Sequence, residues 1–197
     1  MTGVILAAGR GTRAYPYSKG FPKSMLDVGG KPNLERVVAI MRDKLQVERI
    51  VIVVGAYGEQ IRHHFKDGSH FGVAIVYVEN DAIERGLGYS LLLTRPYADD
   101  HVFVMLADEC YVDSNHEELL ATDYRSCLAT CGVQETKNTS LIEENYAVYA
   151  KSGLVQRMVE KPKHSDGALL GLGTFVVSPK FYEHLEAALA SGLMSDP

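Results

Sequence analysis

Two glycines and two cations lie close together near the start of the chain, directly after an apolar run. Gly9 and Gly11 follow the apolar residues 4–8, and Arg13 and Lys23 come next. Glycine lets a backbone approach phosphate closely and adopt a positive φ, and successive N–H groups in such a loop form a concavity for anions. Arginine and lysine can then neutralise phosphate charge. The pattern predicts a polyphosphate site, and a phosphorylated nucleotide as the class of ligand.

The loop matches neither of the two common phosphate-binding motifs. It lacks the third glycine of GxGxxG, and Pro16 and Pro22 prevent a helix from starting directly behind it. The P-loop pattern GxxxxGK[ST] is also absent. Glycine spacing alone is therefore weak support, and the specific signal comes from Thr12-Arg13 and Pro22-Lys23 beside the glycines.

Asp108 follows the apolar run 102–106 and is the candidate metal ligand. A carboxylate at the end of a strand suits Mg²⁺, which prefers hard oxygen ligands and keeps several waters. Phosphoryl chemistry on a triphosphate needs such a divalent ion near the bridging oxygens. The alternative is an aspartate that caps a helix or forms a turn, which is a common role.

Two further segments carry candidate binding residues. Lys161 lies between Glu160 and Pro162, and the proline predicts an extended backbone at Lys161, whose side chain would meet a second phosphate. A solvent-exposed turn is the alternative. Gly86 precedes a predicted helix, where glycine would permit close approach of a nucleobase. The alternative there is a plain loop-to-helix turn.

Apolar runs alternate with amphipathic segments in the first half of the chain, which favours a parallel sheet covered by helices. The predicted strands there are 4–8, 50–54, 73–78 and 102–106, and the predicted helices are 34–45, 59–65 and a second long helix opening at 88–93. The later strands, shorter and expected to be mixed or antiparallel, are 127–133, 147–150, 155–159 and 174–177, before a helix at 179–189. Ligands bind beyond the carboxyl ends of parallel strands, so the glycine loop and Asp108 should share one edge.

The bulk properties describe an ordinary globular chain of one domain. Its 197 residues carry a net charge of −5, which leaves no electrostatic signature for nucleic acid or an anionic membrane. The three cysteines form neither a disulfide framework nor a zinc site, so we expect reduced thiols. No apolar run approaches the ~20 residues of a membrane span, and no signal peptide is recognisable. We therefore expect a cytoplasmic protein.

The fragments LAAGRGTR (6–13), FPKSML (21–26) and GKP (30–32) resemble the sugar-1-phosphate nucleotidylyltransferase family, and the resemblance extends through Asp108 and the EKP at 160–162. It implies a Rossmann-like three-layer α/β/α sandwich with a mostly parallel mixed sheet. It also implies Mg²⁺ on Asp108, catalytic roles for Arg13 and Lys23, and an acceptor site. The implied nucleotide contacts are Leu6, Ala7, Ala8, Gly9, Gly11, Thr12, Arg13 and Gly86, and the implied acceptor contacts are Glu160, Lys161 and Gly173.

The resemblance implies transfer of an NMP group from an NTP to a sugar 1-phosphate, with release of pyrophosphate. Two alternatives stay open: a cytidylyltransferase acting on a non-sugar phosphate such as phosphocholine, and a regulatory module that binds these ligands without turnover. The partners expected are the NTP and a phosphorylated small-molecule acceptor, with no nucleic acid and no membrane, and homo-oligomerisation stays open.

The chain departs from the family pattern in three places. No residue matches the family's second metal-binding aspartate, Ala107 stands where a glycine is usual, and the base-reading segment 79–90 does not match the thymidylyl or uridylyl patterns. We therefore expect residues 1–197 to be a single nucleotidyltransferase domain that is truncated at its C-terminus or belongs to a larger protein.

Overall fold

Each of the eight apolar runs predicted as strands overlaps a strand of the structure, a computed structural model that describes residues 1–192 and only the backbone of Arg13. In chain order the strands are β1 (Thr2–Leu6), β2 (Arg49–Val54), β3 (Ala74–Glu79), β4 (Val102–Leu106), β5 (Ala129–Gln134), β6 (Tyr146–Lys151), β7 (Leu154–Glu160) and β8 (Leu169–Val177). The α-helices of the described residues are α1 (Asn33–Asp43), α2 (Gly58–Phe65), α3 (Gly86–Leu92), α4 (Thr139–Glu144) and α5 (Pro179–Ala190).

The chain folds as two units, and most of the candidate site residues lie in the first. This unit consists of Met1–Thr130 and the segment from Val176 onward, and the second consists of Cys131–Phe175. Four strands of the first unit pair in parallel in the order β3-β2-β1-β4. The core strands are buried on both faces, as a parallel sheet requires.

The register of this sheet puts two predicted site segments side by side. Leu6, the last residue of β1, is paired with Leu106, the last residue of β4. The N–H of Ala107 continues the pairing by donating to the carbonyl of Leu6 at 3.2 Å. The glycine loop and Asp108 therefore begin at the same edge of the sheet, and this prediction is confirmed.

Helices α1 and α5 form where apolar residues recur every three or four positions. In α1 the buried stripe includes Leu34, Val37 and Met41, which join the core of the first unit. Helix α5 begins after Ser178, whose hydroxyl accepts a hydrogen bond from the N–H of Phe181 at 3.3 Å. Both helices end within three residues of the predicted position.

The prediction of a second long helix opening at 88–93 is wrong in the length of that helix. Helix α3 has seven residues and is followed by a 3-10 turn, Arg95–Tyr97. Pro96 lies in that turn, and proline both lacks a donor and disfavours the α conformation of the preceding residue. The helical period of the leucines could not reveal this early end.

The second unit contains antiparallel strands, in agreement with the mixed or antiparallel strands predicted for this part of the chain. Strands β6 and β7 form a hairpin, and β6 also pairs with β8 in the antiparallel sense. The hairpin turns at Ser152-Gly153, where both residues have a positive φ, as a two-residue turn of type I′ requires. Ile142, Ala147 and Leu170 form a small core of their own.

Together the parallel sheet with its helices and the antiparallel strands agree with the predicted α/β fold class. No helix among residues 1–192 is long and apolar enough to cross a membrane.

Candidate active site

The glycine loop packs against the segment that carries Lys23. Gly11 has φ +64°, and a Cβ at this position would lie 2.9 Å from the Cβ of Lys23. The carbonyl of Gly11 accepts hydrogen bonds from the Ser18 hydroxyl at 2.6 Å and from the N–H of Ala14 at 2.9 Å. Position 11 therefore requires glycine for two reasons, its backbone conformation and the close approach of its neighbour.

Leu6, Ala7 and Ala8 lead from β1 into the loop, and their backbone is tied to the neighbouring strands. The N–H of Ala7 donates to the carbonyl of Val53 at 2.9 Å. A Cβ at position 55 would lie 2.5 Å from the carbonyl oxygen of Ala8, so Gly55 lets the segment after β2 approach the loop. These contacts fix the start of the loop against the carboxyl end of the sheet.

A cavity of about 270 Å³ opens beside this loop. Its lining residues are Arg10, Gly55, Ala56, Gly58, Glu59, Glu79, Asn80, Asp81 and Ile83. Four of them, Glu79, Asn80, Asp81 and Ile83, belong to the segment 79–90 that the family resemblance implies for reading the base. No role was predicted for the other five, although Arg10 lies between the two loop glycines and Gly55 directly follows the buried strand β2. That position was the signal available, because ligands of parallel sheets bind where strands end.

Asn80 orders the polypeptide between β3 and α3. It is buried, its Nδ2 donates to the hydroxyl of Ser90 at 2.8 Å, and its Oδ1 accepts from the N–H of Ala82 at 2.9 Å. Gly86, the predicted base contact, begins α3 with φ +80° and is not among the residues that line the cavity. Its contact with a base stays a prediction.

Lys23 and Asp108, predicted separately as a catalytic cation and a metal ligand, form an ion pair. Lys23 Nζ lies 2.9 Å from Asp108 Oδ2, and the two side chains are 39% and 43% exposed. An ion pair so open to solvent contributes only ~0–1 kcal/mol to stability. The Lys23–Asp108 pair joins residues 85 positions apart in the sequence, but it therefore contributes little to the stability of the fold.

Asp108 has the donor chemistry and the exposure that Mg²⁺ requires. This ion is usually held by one or two carboxylates together with waters and substrate phosphates, and a cage made by the protein alone is not needed. Within the described residues no group of three or more histidine, cysteine, aspartate or glutamate side chains could hold a metal. A single half-exposed carboxylate beside the glycine loop fits a metal that arrives with a triphosphate.

Thr12 and Arg13 follow the loop in a 3-10 turn, Thr12–Ala14, whose preceding residue is Gly11. Thr12 is exposed, whereas the side chain of Arg13 lies outside the described part of the structure. Gly9 sits in open space, with no atom within 4 Å of the position that a Cβ would occupy. The roles predicted for these three residues stay predictions.

The predicted acceptor residues Glu160, Lys161 and Gly173 all lie in the second unit. Glu160 ends β7, Gly173 lies within β8, and Lys161 Nζ is 3.6 Å from Glu160 Oε1. The extended backbone predicted for Lys161 is wrong, because its φ is +42°. Its N–H donates to the carbonyl of Asn145 at 2.7 Å, and this bond continues the pairing of β6 with β7 by one residue and holds the backbone of Lys161 in place.

A parallel α/β sheet with a glycine loop and a lysine–aspartate pair at its carboxyl edge is typical of proteins that bind nucleoside phosphates. Comparison with known proteins agrees with this class. The family model described as nucleotidyl transferase matches residues 2–192. The chain therefore belongs to the nucleotidyl transferase family.

Two curated relatives illustrate the similarity. The bifunctional protein GlmU of Methanococcus aeolicus is 31% identical over 186 residues, with 94% of this chain and 42% of the relative covered. The UTP–glucose-1-phosphate uridylyltransferase AglF of Haloferax volcanii is 29% identical over 182 residues, with 92% of this chain and 74% of the relative covered. The chain thus spans less than half the length of the GlmU relatives it matches, at 43% and 42% for two of them.

Solved structures show the same fold. A Bacillus anthracis protein described as a glucose-1-phosphate thymidylyltransferase superposes with a TM-score of 0.85 at 23% identity, covering 94% of this chain and 74% of that protein. A UDP-glucose pyrophosphorylase complexed with UDP-glucose gives a TM-score of 0.80 at 20% identity, with 94% and 79% covered. The predicted three-layer α/β/α fold of the nucleotide-diphospho-sugar transferase type is thereby confirmed.

Proposed function

We propose that this chain transfers an NMP group from an NTP to a sugar 1-phosphate, which yields an NDP-sugar and pyrophosphate. The observation that carries the proposal is the Lys23–Asp108 pair beside the glycine loop, 2.9 Å apart at the carboxyl edge of the sheet. Family membership and the relatives named for glucose 1-phosphate support a sugar phosphate over phosphocholine as acceptor.

In this reaction a phosphate oxygen of the acceptor attacks the α-phosphorus of the NTP in line. The bond from the α-phosphorus to the bridging oxygen breaks, and its electron pair leaves with pyrophosphate. The acceptor phosphate is already an anion, so the protein need not supply a covalent nucleophile or a general base. Its work is to position the two substrates and to stabilise the charge that grows in the transition state.

Lys23 is the group that we expect to neutralise this charge. Its ammonium is half-exposed and paired with a carboxylate, and such a pair contributes only ~0–1 kcal/mol. Exchanging Asp108 for a phosphate oxygen therefore costs Lys23 little. We propose that the loop N–H groups of Gly9 and Gly11 bind the triphosphate and that Arg13 clamps it from the following turn.

Asp108 would hold Mg²⁺ together with waters and phosphate oxygens, and when bound this ion would supply Lewis-acid polarisation of the phosphoryl group. We propose that the cavity lined by Arg10, Gly55 and Asn80 receives the base end of the nucleotide. Glu160, Lys161 and Gly173 remain the residues we propose for the acceptor.

The test is a matrix of NTPs against acceptors, read by pyrophosphate release with Mg²⁺ present. UTP with glucose 1-phosphate is the first pair to assay, since a relative is named for it. Phosphocholine with CTP tests the cytidylyl alternative. Release with a sugar 1-phosphate supports the proposal, whereas release confined to phosphocholine contradicts it. Saturable nucleotide binding without release from any pair would favour the regulatory module.

A matched pair of lysine variants tests the residue that carries the proposal. We expect Lys23→Ala to lower kcat at least tenfold, because losing one group that stabilises transition-state charge typically costs about 10²–10³ in kcat. Lys44 forms an equally exposed ion pair, 2.8 Å from Glu117, outside the candidate site. Lys44→Ala should therefore leave kcat unchanged. Near-parental turnover in Lys23→Ala with an unchanged melting temperature would contradict the assignment.

A further inference from the structure

Asn33 is a buried residue at the start of α1, next to the segment that carries Lys23. Only 5% of it is exposed. Its N–H donates to the carbonyl of Leu26 at 3.0 Å, and the N–H of Leu26 donates to the carbonyl of Lys23 at 3.1 Å. The backbone of Asn33 is thus bonded to the short turn, Lys23–Met25, from which the lysine side chain projects.

The side chain of Asn33 reaches the other half of the ion pair. Its Nδ2 donates to the carbonyl of Ala107 at 3.0 Å and to the carbonyl of Glu109 at 2.8 Å. These two carbonyls flank Asp108, so one amide group holds the backbone on both sides of the aspartate. The carboxylate itself stays half-exposed and is contacted by Lys23.

The chemistry of these contacts determines which end of the Asn33 amide faces the turn. Two carbonyl oxygens can be met only by the NH₂ group, because the amide oxygen would be a third acceptor. The Oδ1 of Asn33 is buried and has no hydrogen-bond partner among the described residues. An unpartnered buried acceptor is unfavourable, so the two donated bonds are the contribution of asparagine at this position.

We propose that Asn33 is a positioning residue for the metal and phosphate centre, which it serves by holding the Lys23 segment and the Asp108 turn at one separation. The proposal rests on the proposed function, since it takes Asp108 as the ligand of a divalent ion. Groups that orient a metal ligand typically change metal affinity by about 10- to 100-fold when lost. The bonds of Asn33 reach the backbone around Asp108 and not its carboxylate, so we expect the lower end, about tenfold.

The experiment measures Mn²⁺ binding to the full chain in the presence of UTP, by water-proton relaxation enhancement. Asn33→Leu keeps the size of the side chain and removes both donors, and Asn33→Asp keeps the shape but turns a carboxylate oxygen toward two carbonyls. Asp108→Asn shows whether the bound Mn²⁺ uses Asp108. We expect the Mn²⁺ dissociation constant to rise about tenfold in Asn33→Leu and further in Asn33→Asp.

Thr94→Val is the matched control for a lost buried polar contact elsewhere in the first unit. Thr94 is fully buried, donates to the carbonyl of Leu91 at 2.7 Å and lies 2.9 Å from the hydroxyl of Tyr182. This variant should lower the melting temperature with Mn²⁺ affinity unchanged. A merely structural role for Asn33 would likewise lower the melting temperature and leave the affinity unchanged, so the two roles differ in a measured quantity.

The inference is overturned if Asn33→Leu binds Mn²⁺ within twofold of the parent, if Thr94→Val weakens binding as much, or if the parent binds no Mn²⁺ through Asp108. If the leucine variant does not fold, Asn33→Ser takes its place. Serine keeps one hydroxyl donor, so we expect the Mn²⁺ dissociation constant to rise in this variant too, but by a smaller factor. Pyrophosphate release is scored separately. A parent that binds Mn²⁺ through Asp108 but transfers no nucleotide refutes the proposed function and leaves the role of Asn33 standing.

Discussion

Two aspartates lie at the opposite ends of one strand and have different surroundings. Asp100 precedes β4, and its carboxylate accepts hydrogen bonds from the N–H of His101 at 2.7 Å and from Arg125 Nη1 at 3.0 and 3.2 Å. Asp108 follows β4, and its carboxylate is contacted by Lys23 alone among the side chains that the structure describes. Both carboxylates are substantially exposed, at 62% and 43% of their side chains.

The hydrogen-bond partners of the two aspartates show that Asp100 stabilises the local structure, whereas Asp108 is available to bind other ligands. The N–H of His101 and the guanidinium of Arg125 lower the pKa of Asp100 to about 2, since both favour the charged form. Asp108 has most of its acceptor capacity left for other ligands, and it lies at the carboxyl edge, where ligands of parallel sheets bind. Asp100, at the amino edge, already uses its carboxylate to bind His101 and Arg125.

The largest expected effect comes from neutralising each aspartate in turn. We expect Asp108→Asn to lower kcat/KM by about 10²–10³, because the Mg²⁺ that this carboxylate would hold is a group that stabilises transition-state charge. Asp100→Asn should leave kcat/KM within twofold, because its contacts lie at the other end of β4. Steady-state pyrophosphate release measures both. An equal loss of kcat/KM in the two variants would show that the two ends of β4 do not differ in function.

The glycine loop provides a second test of the carboxyl edge, because Gly11 packs against Lys23 of the Lys23–Asp108 pair. Gly11 and Gly20 both have a positive φ, but only at position 11 would a Cβ meet the Cβ of Lys23, at 2.9 Å. A left-handed conformation costs a residue with a Cβ roughly 1–2 kcal/mol, so both alanine variants should lose about that much stability in urea unfolding.

Gly11→Ala should in addition lower kcat/KM at least tenfold, because the new methyl group displaces the lysine segment. Gly20→Ala provides the control, since no atom lies within 4 Å of its Cβ position. Equal activity in the two variants would show that the close packing of the loop on Lys23 is unimportant for the reaction.

The smallest effect concerns the acid stability that Asp100 contributes. Its pKa is about 2 in the folded protein and ordinarily 3.8, so its contribution is present above pH ~4 and is lost as pH falls through 2. The pair with Arg125 is exposed to solvent, so this contribution is small. Asp100→Asn should therefore lower the free energy of unfolding slightly at pH 6 and by clearly less at pH 2, where the carboxylate of the folded protein is already partly protonated. A difference as large at pH 2 as at pH 6 would contradict this origin.

Much of the fold was predictable because the strands of a parallel sheet are apolar on both faces and stand out as runs. Residues 102–106 were predicted and found as β4 without any shift. Two predictions failed: the length of α3, which ends before the turn that contains Pro96, and the backbone of Lys161, which depends on a single contact. The bond from Lys161 to the carbonyl of Asn145 is such a contact, and no periodicity in the sequence reports it.

The candidate site divides in the same way. The sequence by itself determined that glycines and an aspartate follow two strands and that Lys23 comes soon after the glycines. These residues were recognisable because phosphate binding needs glycines and cations, and a bound metal needs a carboxylate. Only the tertiary structure decided which of them meet. The 2.9 Å contact of Lys23 with Asp108, and the amide of Asn33 that holds the aspartate turn, join segments 74 to 85 residues apart. Such contacts depend on how parallel strands are ordered in the sheet, and strand order is set by the packing of the whole unit.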